Sequence, residues 1–277
     1  MMISKVTLGA LFFVATTAAH AHFQVLIPEK AAITEADGSE VVLDAVFSHP
    51  FEGGPLMDMG KDETGELHPP LKAGVMHRGE TTDLTDALEP VTYEGLDGKA
   101  QGYRLKHELK GMGDFVYFLD PAPYWEPGEG LYIRHVTKVV VNREGWGSDW
   151  RKPVGLEAEI LPLVKPYALW AGNVFKGKVM RMEGDELKPV PNAYIEVEFL
   201  NHGIVGAMIA RDAEVEAPQS AFVTQGIHAD ANGEFIYGIP RAGWWSFAAF
   251  TAKDTDRHNG KEMELNAVLW VHAEDME

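Results

Sequence analysis

The sequence predicts an all-β protein: a signal peptide over residues 1–21 followed by two β-sandwich domains, 22–165 and 166–277. Three observations carry this. Alternating apolar and polar residues recur throughout, as in Val41, Leu43, Ala45 and Phe47, or Ile195, Val197 and Phe199 set between Glu196 and Glu198; a period of two is the mark of a half-buried strand. Clusters of Gly, Pro, Asn and Asp separate these runs at Asp97-Gly98, at 121–130 and at 230–233, the spacing of turns in a sandwich. Helix-period runs are scarce after residue 21, with one short helix expected at Asp83 to Leu88.

The elements follow in order. Lys5, the apolar run Val6 to Ala15 and the small-x-small site Ala19-His20-Ala21 read as a secretory signal cleaved after Ala21. The run is shorter than the roughly 20 residues a membrane span needs, and no later segment is apolar enough, so the mature chain is expected to be soluble, outside the cytoplasm and not inserted in a membrane. Strands are expected over 41–47, 103–110, 114–119 and 131–142. A Pro-marked connector, Leu161-Pro162-Leu163 and Lys165-Pro166, sets the domain boundary. Beyond it come strands over 175–182, 194–200, 234–237 and 244–250. Asp230-Ala231-Asn232-Gly233 forms a turn in which Gly233 supplies a positive φ. Strand, Pro-Val-Pro-Asn-Ala turn, strand, Asp-Ala-Asn-Gly turn, strand and Ala242-Gly243-Trp244-Trp245 resemble the prealbumin-like or carboxypeptidase-regulatory-like sandwich, beside an Ig-like first domain.

Composition narrows the chemistry. The formal net charge is -18, which repels nucleic-acid phosphates and suits cationic ligands. Cysteine is absent, so a metal site must use His, Met, carboxylates or the chain terminus, and cysteine-zinc sites are excluded. No Gly-x-Ser-x-Gly elbow or nucleophile-base arrangement suggests a hydrolase, and no catalytic residue is expected.

Cleavage after Ala21 makes His22 the first residue, offering an α-amine and an imidazole from one position. That pair chelates transition metals, because imidazole suits zinc, copper and nickel and the amine's pKa near 8 leaves it available. The densest further chemistry is the loop His49-Pro50-Phe51-Glu52-Gly53-Gly54-Pro55-Leu56-Met57-Asp58-Met59, directly after the strand 41–47. It holds an imidazole, two carboxylates and two thioethers. Met is also a common core filler, and Glu52 and Asp58 could equally be solvated. His135 lies inside a strand, on the face of Ile133 and Val139, where a satisfied structural imidazole is the plain alternative.

Several segments together resemble a known family: Ala19-His-Ala-His-Phe-Gln-Val-Leu-Ile-Pro28, Phe47 to Met59, Pro123-Tyr-Trp-Glu-Pro127, Thr137-Lys138, Pro153-Val-Gly-Leu156, Glu159 to Leu163, Tyr167 to Asn173, Ala242 to Trp245 and Ala267 to Val271. These are similar to the periplasmic component of nickel or cobalt uptake systems of the energy-coupling-factor type, a family often described only as a domain of unknown function. The resemblance implies a periplasmic protein that captures nickel or cobalt and passes it to membrane-embedded importer subunits. It carries over His22 and His49 as metal ligands, with His135, Met57, Asp58 and Met59 as further candidates. Two other readings stay open: a copper-binding histidine brace acting as carrier or oxidase, and a non-metal sandwich that binds a ligand or serves as a scaffold.

Overall fold

A computed structural model describes residues 22–276; the expected signal peptide lies outside the described residues. The fold is all-β. The only helical segments among the described residues are three single 3-10 turns, at Glu35–Asp37, Thr85–Ala87 and Ser220–Phe222. The second stands where a short helix was expected. Asp83 accepts bonds from the backbone and hydroxyl of Thr85 at 2.9 and 2.7 Å, closing one turn, and the chain re-enters a strand at Leu88. No helix among the described residues is long and apolar enough to cross a membrane.

Three sheets form the body. A seven-stranded outer sheet is ordered Phe23–Pro28, Glu40–Ser48, Gly98–Glu108, Leu88–Gly95, Met208–Ile209 and Ile204–Val205, with Leu56–Met57 paired to Glu40–Ser48. A twelve-stranded sheet runs through Tyr194–Phe199, Gly243–Phe250, Lys261–Glu274, Leu131–Arg143, Gly113–Asp120 and Lys72–His77. A four-stranded sheet joins Ala158–Pro162, Val174–Glu183, Glu186–Pro189 and Glu234–Gly238.

The large sheet is shared between two cores, and its side-chain alternation shows how. Along Lys261–Glu274, Leu265, Ala267, Leu269, Val271 and Ala273 enter the core made with the four-stranded sheet. Val268 and Trp270 enter the core made with the outer sheet. In Gly243–Phe250, Trp245, Phe247 and Ala249 face the first of these and Trp244 and Ala248 the second. A strand buried on both faces reads as an almost unbroken apolar run rather than an alternation, which is why Leu265 to Val271 gives no period-two signal. Lys261–Glu274 pairs in parallel with Leu131–Arg143, from Tyr132↔Met263 to Val139↔Trp270. Main-chain pairing therefore crosses the boundary expected near residue 165.

The turn at Asp230 to Gly233 forms as its residues require. Gly233 has φ +75°, and the Asp230 carboxylate accepts the backbone N–H groups of Asn232 and Glu234 at 2.8 and 2.9 Å.

Candidate metal centre

The antiparallel register builds the site. Phe23 pairs with Ser48 and Gln24 with Phe47, so one step further the same register sets His22 opposite His49. Cross-strand partners share a face, and the two imidazoles meet with centroids 4.8 Å apart and planes at 87°. The Phe47 ring stacks on His22 at 5.6 Å.

The opposite wall comes from the large sheet. Tyr124–Glu126 pairs with Leu131–Arg143. Residues 124 and 126, two apart on a strand, point the same way. Glu126 Oε2 lies 3.0 Å from His22 Nε2, and both side chains are 14% exposed. The Tyr124 ring lies 6.5 Å from His22 and 5.2 Å from Phe47. Burial, helped by the charges of Glu126 and Asp58, pushes the Tyr124 phenol up to about 12, so it stands as a neutral hydroxyl at physiological pH.

His49 is 5% exposed, and its Nδ1 faces Glu52 Oε2 at 3.4 Å. Its loop is gripped from the far half of the chain. Phe51 N–H donates to Glu198 at 3.2 Å, Asn201 donates from its backbone to Pro50 O at 3.2 Å, and the Asn201 amide donates to Phe51 O at 3.1 Å. Gly53 closes the turn with φ +70°. A Cβ there would stand 2.7 Å from the His202 ring, so only glycine fits the approach.

Gln24 anchors the strand that carries His22. It is 1% exposed; its amide donates to Val46 O at 3.0 Å and contacts Met59 Sδ at 3.6 Å. Its backbone carbonyl accepts the Trp270 indole N–H at 3.0 Å.

The remaining candidates are placed differently. His135 is buried, and the Phe47 ring that stacks on His22 also meets the His135 ring edge-on, with centroids 5.6 Å apart. The Asn266 amide lies 3.0 Å from His135 Nε2, and Glu264 is 3.5 Å from the same nitrogen. Met57 pairs with Phe47 across a two-residue strand and packs in the core, and Met59 is buried against Gln24. Asp58 works within its own neighbourhood, accepting the Gln101 N–H at 2.9 Å and pairing with Lys61 at 3.1 Å. The structure thus brings His22 and His49 together and gives the other four packing and loop-closing contacts.

A second cluster, Asp62, Glu66 and His68, has one ligating atom from each residue within 4.8 Å of the others. Asp62 already accepts bonds from Thr64, from the Glu66 backbone and from His68 at 3.0 Å, which closes its own exposed loop.

The profile of the domain of unknown function DUF4198 matches residues 19–253. The chain belongs to this family. The match takes in His22, His49, Tyr124, Glu126 and His135 and ends before the Lys261–Glu274 strand. Comparison with curated proteins finds no match. Among solved structures, the chain is similar to the D0-D1 domain of intimin (12% identity, covering 91% of this chain and 100% of that one, TM-score 0.21). It is also similar to the adhesin InvE of Yersinia pseudotuberculosis (13% identity, 89% and 58% covered, TM-score 0.25), so it spans little more than half of that adhesin. Overlaps this low say nothing of a shared activity.

Sequence reasoning missed Tyr124, Glu126 and Gln24 as parts of this site. Tyr124 and Glu126 sit in the Pro123 to Pro127 segment that carried the family resemblance, and their spacing of two in a Pro-bounded run was the available signal. For Gln24, a polar residue among Phe23, Val25, Leu26 and Ile27 was the clue, since buried polar groups need partners.

Proposed function

We propose that this DUF4198 protein is a periplasmic metal-binding protein that captures a divalent transition metal, nickel or cobalt, and delivers it to a membrane importer. The observation that supports this most is the approach of His22 and His49 to 4.8 Å between ring centroids, with Glu126 and Glu52 beside them. If export frees the His22 amine, the donors are two imidazoles and an amine, a nitrogen-rich set that late transition metals accept. Glu52 supplies a hydrogen bond that orients the His49 ring, Glu126 sets a carboxylate 3.0 Å from His22, and the net charge of -18 favours cation approach. Nickel or cobalt, and the importer, are taken from the resemblance of the sequence. A second reading, a copper-binding brace acting as carrier or oxidase, is favoured by the pairing of two imidazoles at 4.8 Å, since nitrogen sites hold copper more tightly than nickel or cobalt.

The test is intact mass of the exported protein followed by calorimetric titration with Ni(II), Co(II) and Cu(II). The expected result is a chain starting at His22 with one tight site. Loss of an outer hydrogen-bond partner of a ligand costs about 10–100-fold in affinity, so His22→Ala and His49→Ala should each cost at least about tenfold. Unchanged binding in both variants would remove the reading. Peroxide formation by the copper-loaded protein would turn it toward the oxidase.

A further inference from the structure

The outer sheet carries a ligand-sized hollow next to the hairpin of Ile204–Val205 and Met208–Ile209. Ile27 pairs with Asp44 and Asp44 with Arg104, so the three form one cross-strand row. Leu43 and Ala45, on either side of Asp44 in the strand, point to the opposite face and enter the core. The hairpin is fastened beside this row by the Arg104 guanidinium, which donates to Gly206 O at 2.6 Å. Between them lies a cavity of about 500 Å³, within the ~300–1,000 Å³ usual for small-molecule sites. Ile27, Val42, Ile204 and Val205 give it apolar walls, and Val205 is 73% exposed. One ion pair lies in this apolar lining. Asp44 Oδ1 accepts from Tyr93 Oη at 2.6 Å, from Arg104 Nε at 2.8 Å and from Arg104 Nη2 at 2.6 Å. Each partner of the pair therefore keeps a polar atom outside it. Asp44 Oδ2 is an acceptor and Arg104 Nη1 a donor without a hydrogen-bond partner among the described residues. The two side chains are 17% and 21% exposed, so they are held in place yet open to a ligand.

We propose that this hollow binds a free apolar α-amino acid, with its ammonium group on Asp44 Oδ2, its carboxylate on Arg104 Nη1 and its side chain among Ile27, Val42, Ile204 and Val205. A charged acceptor and a charged donor on one fixed pair match a ligand that carries both charges on one carbon. A peptide separates its two charged ends along the chain, so the free amino acid is the better fit. Glu29 also lines the hollow, which leaves its wall one net negative charge. A plain carboxylic acid is therefore repelled, and a plain amine leaves Nη1 without an acceptor. Charge-assisted hydrogen bonds are the strong ones, and a pair already fixed by Tyr93 and Gly206 costs little to order on binding. The site shares no residue with the imidazole pair, so it stands or falls independently of metal capture.

The experiment is calorimetric titration of the exported, metal-free protein with L-leucine and L-phenylalanine as probes, backed by saturation-transfer NMR. At least one of them is expected to bind at a single site. Isopentylamine and isocaproic acid each keep the apolar body and only one of the two charges. Each should bind at least about tenfold more weakly than leucine, having lost one charge-assisted bond. Asp44→Asn keeps an acceptor for Tyr93 and Arg104 and removes the charge that faces the ammonium group, so it should also cost at least about tenfold. Val205→Asn changes an exposed side chain, so the fold stays intact while one apolar wall is lost, and it should weaken binding about threefold or more. Failure of both amino acids to bind the wild type would overturn the proposal. So would wild-type affinity in Val205→Asn and Asp44→Asn, which would put the ligand elsewhere. Isopentylamine binding as tightly as leucine would make this a simple cation site and overturn the amino-acid assignment.

Discussion

A carboxyl group buried as deeply as Glu198 makes stability depend on pH. It is 1% exposed, close to the hydroxyl of Thr224 and to the Phe51 N–H. Burial, only partly offset by those hydrogen bonds, pushes it up to about 8 from an ordinary 4.5. A carboxyl whose folded pKa is raised binds its proton more tightly in the native state. The folded protein therefore carries no penalty below about pH 4.5, loses stability as pH rises from there towards 8, and bears the full penalty above 8. At about 1.4 kcal/mol per unit, a displacement of this size amounts to a few kcal/mol. Glu198→Gln keeps an acceptor for Phe51 and removes the ionisation. The variant should melt above the wild type at pH 8 and close to it at pH 5. Glu196, pushed up to about 7 by burial and by Glu264 and Glu129, leaves part of the slope in place. Parallel melting curves for the two proteins across that range would refute the assignment. The same scale shows what was readable in advance. His22 and His49 stood out because each combines an imidazole with a telling position, one just after the expected processing site and one at a strand end. Tyr124, Glu126 and Glu198 did not, because their roles depend on a neighbour far away in sequence.

Elements of the large and the four-stranded sheets are joined by one buried ion pair. Lys138, on Leu131–Arg143, reaches Glu159, on Ala158–Pro162, at 2.6 Å, with side chains 2% and 0% exposed. Glu159 also accepts the backbone N–H groups of Val154, Gly155 and Leu156. Three of the segments behind the family resemblance, Thr137-Lys138, Pro153 to Leu156 and Glu159 to Leu163, meet at this pair. Those segments therefore mark the fold rather than the chemistry, which sequence alone could not distinguish. Breaking a buried pair costs about 3–5 kcal/mol when a charge is left uncompensated. Glu159→Ala strands the Lys138 ammonium and three N–H groups together and should cost about that much. Lys138→Met leaves Glu159 with its three donors and should cost less. Denaturant midpoints that rank the two variants the other way would show that the backbone donors do not hold the carboxylate.

At the scale of the whole molecule, the strand positions and the β-sandwich layering were legible, and the strand shared between the two cores was not. The expected runs over 41–47, 114–119, 131–142, 175–182 and 244–250 all lie within strands, because each keeps a face on a core. Lys261–Glu274 could not be read as the centre of the architecture, since a strand serving two cores loses its alternation. That strand makes a further outcome testable. Trp270 is fully buried in the outer-sheet core, while Leu269 and Val271 on either side of it lie in the other core. Gln24 binds the Trp270 indole, so the same strand supports the one that leads to His22. With both cores resting on one strand and its parallel partner, neither core has a complete sheet without the other. Unfolding should therefore be a single cooperative transition. Trp270→Ala should cost about 3–5 kcal/mol and lower protection in both cores together. Native-state hydrogen exchange followed by mass spectrometry can read the Phe23–Pro28 and Ala158–Pro162 strands separately. Equal losses of protection in the two strands are expected. A loss confined to Phe23–Pro28, with Ala158–Pro162 holding wild-type protection, would mean that the chain folds as two independent sandwiches after all.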